Sequence, residues 1–149
     1  MIDYKLENKT ALITGGSHGI GFAIAEALAK QGVHVAICSR SDQRLKDSQK
    51  KLCNYGVNVL IIKTDVLNQG SSEYIYQEVN KKWGGVDILI NNVGGGGRWG
   101  NERVELTEDN VWIEVYQKNA LIAAHLTSRL IPFMLNKNWG RVITITSRY

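Results

Sequence analysis

The chain has 149 residues, 44% hydrophobic and 21% charged, with a formal net charge of +4. That length supports one domain with a real core, and the composition is that of an ordinary globular protein, neither disordered nor fibrous. Lys and Arg are dispersed with no basic stripe interleaved with aromatics, and no apolar run approaches the ~18 residues of a membrane span, so neither nucleic acid nor membrane is an expected partner.

The opening segment, MIDYKLENKT, is polar and lacks the apolar core of a secretory signal. The two cysteines, Cys38 and Cys53, have no metal-site spacing and read as reduced thiols of a cytoplasmic protein. No metal is expected.

Short β-type runs alternate with amphipathic stretches. TALIT (10–14) predicts a first strand, followed by a Gly-rich turn and a helix from Gly19 to Gln31. In that helix Ile20, Ile24, Ala27 and Leu28 recur at helical spacing, and Gly32 stands at the C-cap. VHVAIC (33–38) predicts the second strand. A polar-faced helix follows over 41–55, with Ser41 as N-cap and Gly56 as its stop. VNVLII (57–62) is the third strand, Ser71 to Trp83 the next helix, and VDILI (86–90) the fourth strand. NNVGGGGRWGNERVEL reads as a loop. A long helical region spans 107–136, broken near Asn119 and distorted by Pro132, before a fifth strand, RVITIT (141–146). Strands this apolar, separated by helices, predict a doubly wound parallel sheet covered on both faces.

The turn TGGSHGIG (14–21) follows a strand and opens a helix. Gly15 permits a tight turn, Gly19 lets backbone approach a pyrophosphate, and Gly21 allows close packing of helix on sheet. The helix N-terminus offers free N–H groups and partial positive charge to phosphates. Ser17, His18 and Ile20 lie on the same turn and join it as candidate cofactor contacts. A plain strand-to-helix turn is the structural alternative. The second strand is followed by Ser39 and Arg40, where enzymes that use NAD often carry a carboxylate for the ribose hydroxyl. An arginine there suits a 2′-phosphate, so NADP is expected over NAD. His18 either reaches the same phosphate or is a surface histidine.

TGGSHGIG (14–21), TDV (64–66), NNVG (91–94), Asn119 and the Ser147 that ends GRVITITS (140–147) together resemble the short-chain dehydrogenase/reductase family, in its N-terminal portion. The resemblance runs through essentially the whole chain. It implies a Rossmann-like α/β domain over residues 1–149, truncated after the fifth strand. By this resemblance Asp65 and Val66 contact adenine, Asn92 and Gly94 line the ribose side of the cleft, and Asn91 ties neighbouring strands together. Asn119 holds a water in a proton relay, and Ser147 hydrogen-bonds a substrate carbonyl. The implied activity is NADP-dependent hydride transfer to or from a carbonyl or alcohol, with the 3-oxoacyl thioester reductase kind among the candidates. The implied parent is a homodimer or homotetramer.

Two features depart from the family pattern. Val93 stands where Ala is usual, and His18 where many NADP-preferring members carry Arg or Lys. The family's Tyr-x-x-x-Lys pair falls beyond the last residue, and Tyr149, too close to Ser147, is not assigned its role. The chain is therefore expected to be the front part of a longer protein, inactive alone and weak at binding dinucleotide. Its fifth strand would be an unprotected edge, and the helix face of Val115, Ile122, Leu126 and Leu130 would lack partners. Arg98 and Trp99 in GGGGRWG are either part of a lid or of a surface loop. A non-catalytic nucleotide-binding module that pairs with a complete partner is the alternative function, and a methyltransferase with another Gly-rich turn a distant third.

Overall fold

The computed structural model describes residues 2–94 and 103–147. Chain order is β1 (Thr10–Thr14), α1 (Gly19–Lys30), β2 (His34–Ser39), α2 (Asp42–Cys53), β3 (Val59–Lys63), α3 (Ser71–Trp83) and β4 (Ile88–Asn91). A short 3₁₀ turn (Val104–Leu106), α4 (Asp109–Tyr116), a π-helical turn (Gln117–Leu121), α5 (Ile122–Asn136) and β5 (Arg141–Thr144) follow. β1 has the expected limits, and β2 to β5 start or stop one or two residues from theirs, because a run of apolar residues does not mark where pairing begins.

The sheet has five strands in the order β3-β2-β1-β4-β5, all parallel. After β3 the chain crosses back over β1 to lay down β4, which creates a switch point beside β1. Ligands of open α/β sheets bind at such a point, outside the carboxyl ends of the strands.

Alternation along each strand divides the core in two. Ala11, Ile13, Val35 and Ile37 face α1 and α2, where Ala25, Ala29, Leu45 and Leu52 meet them. Leu12, Ala36, Cys38 and Leu89 face α3 and α5, against Ile75, Val79, Ile122, Leu126 and Leu130. The expectation of helices on both faces holds. Of the face expected to lack partners, Ile122, Leu126 and Leu130 are core residues packed on the sheet, while Val115 is half-buried. The exposed apolar side chains of this helical region are Trp112, Ile113 and Tyr116 on α4 and Leu135 near the end of α5.

Local signals act as expected. Ser41 Oγ accepts the Arg44 N–H at 3.3 Å, capping α2. The β5 edge leaves Val142 and Ile143 40% and 48% exposed. At the opposite end of the sheet from the switch point, Asp87 is buried just before β4. Its Oδ2 accepts the Thr10 N–H at 2.9 Å, and Lys137 Nζ at the end of α5 donates to Oδ1 at 2.5 Å.

Candidate functional site

A cleft of about 720 Å³ opens at the carboxyl ends of β1 to β4. Its floor is the glycine turn, with Gly15, His18, Gly19, Ile20 and Gly21. Its sides are Ser39, the last residue of β2, and Arg40 after it, Asp65 and Val66 after β3, and Asn92 and Gly94 after β4. These residues come from four separate loops, and the sheet order gathers them. Val111, Glu114 and Lys118, from α4 and the π turn, close the remaining wall.

The turn is built so that backbone lies bare at the cleft floor. Gly15 has φ +64°, a left-handed conformation that a side chain disfavours. A Cβ on Gly21 would lie 2.3 Å from the Gly15 carbonyl oxygen and 2.6 Å from Asn92 Nδ2. The start of α1 can therefore seat against the turn only with glycine there. His18 at its N-cap makes no side-chain capping bond, and no carboxylate stands in the first turn. The first N–H groups of α1 are thus left to serve an anion. Ser17 is buried and is not among the cleft-lining residues; its backbone carbonyl accepts the Ser48 hydroxyl at 3.0 Å.

Thr14, the last residue of β1, holds the two rims together. Its Oγ1 accepts the N–H groups of Asn92 and Val93 at 2.9 and 3.0 Å. The Asn92 side-chain amide donates to the Thr14 carbonyl at 3.0 Å. Asn92 thus braces the glycine turn as well as lining the cleft. Asn91 spans β4 and α5 through Nδ2, which donates to Thr127 Oγ1 at 3.1 Å, and its carbonyl accepts the Ile145 N–H at 2.9 Å. Its side chain thus ties β4 to a helix and not, as expected, to a neighbouring strand; only its backbone carbonyl reaches the segment after β5.

The predicted break near Asn119 is the π turn itself, a distortion frequent at functional sites. Asn119 Nδ2 donates to the Val115 carbonyl at 3.0 Å, and Oδ1 lies 2.9 Å from where a Gly94 Cβ would stand. Asn119 and the cleft rim at Gly94 are therefore brought together. Ser147 is exposed and lies beyond β5, at the same sheet edge. Arg98, Trp99 and Tyr149 lie outside the described residues.

Charge in the cleft is mixed. Burial pulls the Lys118 ammonium below the ordinary lysine range, the Arg40 charge adds to this, and Asp65 opposes both. Asp65 Oδ1 accepts the Leu67 N–H at 3.0 Å, so it shapes its own loop as well as the wall. Cys38 also reaches the cleft, but burial pushes its thiol up to about 11. The thiolate is the reactive form. Iodoacetamide at neutral pH is therefore expected to label the exposed Cys53 in the native protein and spare Cys38. Equal labelling on peptide mapping would contradict that burial. Among the described residues no group of His, Cys, Asp and Glu could hold a metal ion, and no helix is long and apolar enough to cross a membrane.

Residues 9–149 match the family model described as short chain dehydrogenase. A 3-oxoacyl-[acyl-carrier-protein] reductase of Aquifex aeolicus is 33% identical, over 98% of this chain and 58% of its own length. A short chain dehydrogenase of Pseudocercospora fijiensis is 34% identical, over 96% of this chain and 46% of its own. Among solved structures, L-sorbose reductase from Gluconobacter frateurii, complexed with NADPH and L-sorbose, superposes with a TM-score of 0.90. It shares 34% identity, over 96% of this chain and 54% of that one. An alcohol dehydrogenase of Thermococcus sibiricus, complexed with 5-hydroxy-NADP, has a TM-score of 0.85 at 32% identity, over 95% and 59% of the two chains. The chain thus spans about half the length of the relatives it matches.

Proposed function

Because the chain belongs to the short-chain dehydrogenase family, we propose that residues 1–149 are the dinucleotide-binding part of an NADP-dependent reductase. The substrate would be a carbonyl compound or the corresponding alcohol, with a 3-oxoacyl thioester among the first to test. The observation that carries the cofactor choice is Arg40. It stands on the cleft wall directly after β2, and the β2 end, Cys38, Ser39 and Arg40, offers no carboxylate. A carboxylate at that place would repel a 2′-phosphate, whereas a guanidinium forms charge-assisted bonds with it. The NADPH and NADP derivatives held by two similar structures are in keeping with this reading.

The residues present fit such a cofactor. The bare N-terminus of α1 and the glycine turn would take the pyrophosphate, with Gly15, Gly19 and Gly21 permitting the approach and His18 and Ile20 beside it. Arg40 and Ser39 would meet the 2′-phosphate, Asp65 and Val66 the adenine, and Asn92 and Gly94 the nicotinamide-side ribose. Ser17 would act through the shape of the turn. When bound, nicotinamide supplies hydride chemistry. The chain's own task is to hold and orient it. Asn119, fixed by its bond to Val115, would hold a water of the proton relay at the rim near Gly94, and Ser147 would donate to the substrate carbonyl. Reduction is the expected direction, since cells keep NADP reduced, and the cytoplasm is the matching compartment. Trp112, Ile113 and Tyr116, exposed on α4, supply an apolar face for the homodimer or homotetramer proposed for the whole protein.

The test is a pair of titrations on the whole protein. NADPH is expected to bind at least about tenfold more tightly than NADH, a difference of about 1.4 kcal/mol. Arg40→Asp should abolish or invert that preference. Tighter binding of NADH by the unaltered protein would overturn the assignment.

A further inference from the structure

We propose that Lys118 is a second phosphate-binding cation of this cleft, gripping the adenosine 2′-phosphate together with Arg40. The inference rests on the NADP reading above and adds a residue that the sequence pattern did not single out. Arg40 follows β2 in the first half of the chain, and Lys118 sits in the π turn between α4 and α5. The fold places both on the walls of one cleft.

The location along the cleft follows from the neighbours. Lys118 shares the cleft wall with Arg40 and Asp65 and feels their charges; these two residues follow β2 and β3. Those two strands lie on the far side of β1 from β4, so this is the adenosine end of the recess. The pyrophosphate place, at the start of α1, is already served by backbone N–H groups. The next residue, Asn119, lies against Gly94 at the β4 rim. Consecutive residues of the π turn thus address different ends of one site.

The charges along this recess suit an anion. Arg40 and Lys118 are cations on its walls, with Asp65 and Glu114 as the acidic groups. Burial first, and the Arg40 charge second, pull the Lys118 ammonium down, while Asp65 opposes them. A dianionic phosphate between Arg40 and Lys118 would take a charge-assisted contact from each. Lysine suits this wall because its long stem carries a point charge that adjusts to the phosphate, while Arg40 supplies the planar fork.

The experiment uses fragments that differ only by the phosphate in question. The whole protein is titrated calorimetrically with adenosine 2′,5′-bisphosphate and with AMP, as wild type, Lys118→Met, Lys118→Gln, Lys118→Arg and Arg40→Met. Both neutral variants are expected to bind the bisphosphate about tenfold more weakly, about 1.4 kcal/mol, with AMP changed less than twofold. Lys118→Arg should restore most of the loss. The salt dependence of bisphosphate binding should become shallower in the neutral variants, since one cation fewer is engaged. Equal weakening of both ligands, or of neither, in both neutral variants would overturn the role of Lys118. If the wild type does not prefer the bisphosphate at all, the NADP reading fails, and this inference with it. If Arg40→Met removes a preference that both neutral Lys118 variants retain, only the inference about Lys118 fails.

Discussion

Replacing Gly21 with Ala is expected to weaken dinucleotide binding by the whole protein by roughly 100-fold, about 2.7 kcal/mol, and to cost about 1–3 kcal/mol of stability. The reason is where the added methyl group would go. It would stand 2.3 Å from the Gly15 carbonyl oxygen and 2.6 Å from Asn92 Nδ2. Neither neighbour can give way freely. The Gly15 carbonyl belongs to a left-handed turn residue, and the Asn92 amide is held by the Thr14 carbonyl. Relief must come from moving the start of α1 away from the turn, which shifts the N–H groups meant for the pyrophosphate. A control separates this effect from the general cost of altering a glycine. Gly56 has a positive φ, +75°, and a Cβ there meets nothing within 4 Å. Gly56→Ala should lose about 1 kcal/mol through backbone strain and leave cofactor affinity unchanged. Isothermal titration with NADPH and thermal melting of the two variants read both quantities. Wild-type affinity in Gly21→Ala would show that the turn does not cradle the pyrophosphate.

The parts of the cleft that sequence made legible are those whose chemistry is local. A glycine triad between a strand and a helix carries its meaning within eight residues, and Arg40 is recognised by its distance from that turn. Thr14 shows where this stops. It reads as the last residue of a strand, and nothing in TALIT says that its hydroxyl holds two N–H groups of a loop nearly eighty residues away. That knowledge needs the pairing of β1 with β4. Lys118 and Glu114 are similar. In an amphipathic helix they look like solvated positions, and only the path of α4 and the π turn above the sheet edge brings them to the cleft. The helix face of Ile122, Leu126 and Leu130 finds partners within the chain for the same reason. Periodicity identifies an apolar face, but not the layer it packs on. Here that layer is the sheet itself, at Leu12 and Leu89. A signal for Asp87 did exist: a carboxylate inside the apolar run VDILI must find partners if the run is buried. Its partners, Thr10 and Lys137, could not be named without the fold.

Asp87→Ala is expected to cost the whole protein about 1–3 kcal/mol, the usual consequence of removing a buried acceptor from its hydrogen-bond partners, since the half-exposed Lys137 can turn to water. The carboxylate is 3% exposed and joins three elements at the end of the sheet away from the cleft. Its loss leaves the Thr10 N–H without this acceptor and Lys137 without its counter-charge. Burial alone would raise the Asp87 pKa, but Lys137 and the Thr10 N–H outweigh it and hold the carboxyl below the ordinary carboxylate range. The sign of the pH dependence follows. A folded-state pKa below the unfolded value of about 3.9 means that the contribution is complete above the unfolded pKa and is lost as pH falls through the folded one. The stability gap between wild type and Asp87→Asn, which keeps the shape and removes the charge, should therefore be widest near neutrality and close in acid. Urea unfolding of both proteins between pH 7 and pH 3 measures it. Because the pair lies at the opposite end of the sheet from Arg40 and the glycine turn, NADPH affinity of the folded Asp87→Asn protein should stay within twofold of wild type. A gap that stayed constant down to pH 3 would show that the charge of Asp87 contributes nothing, and that its hydrogen-bonded shape alone matters.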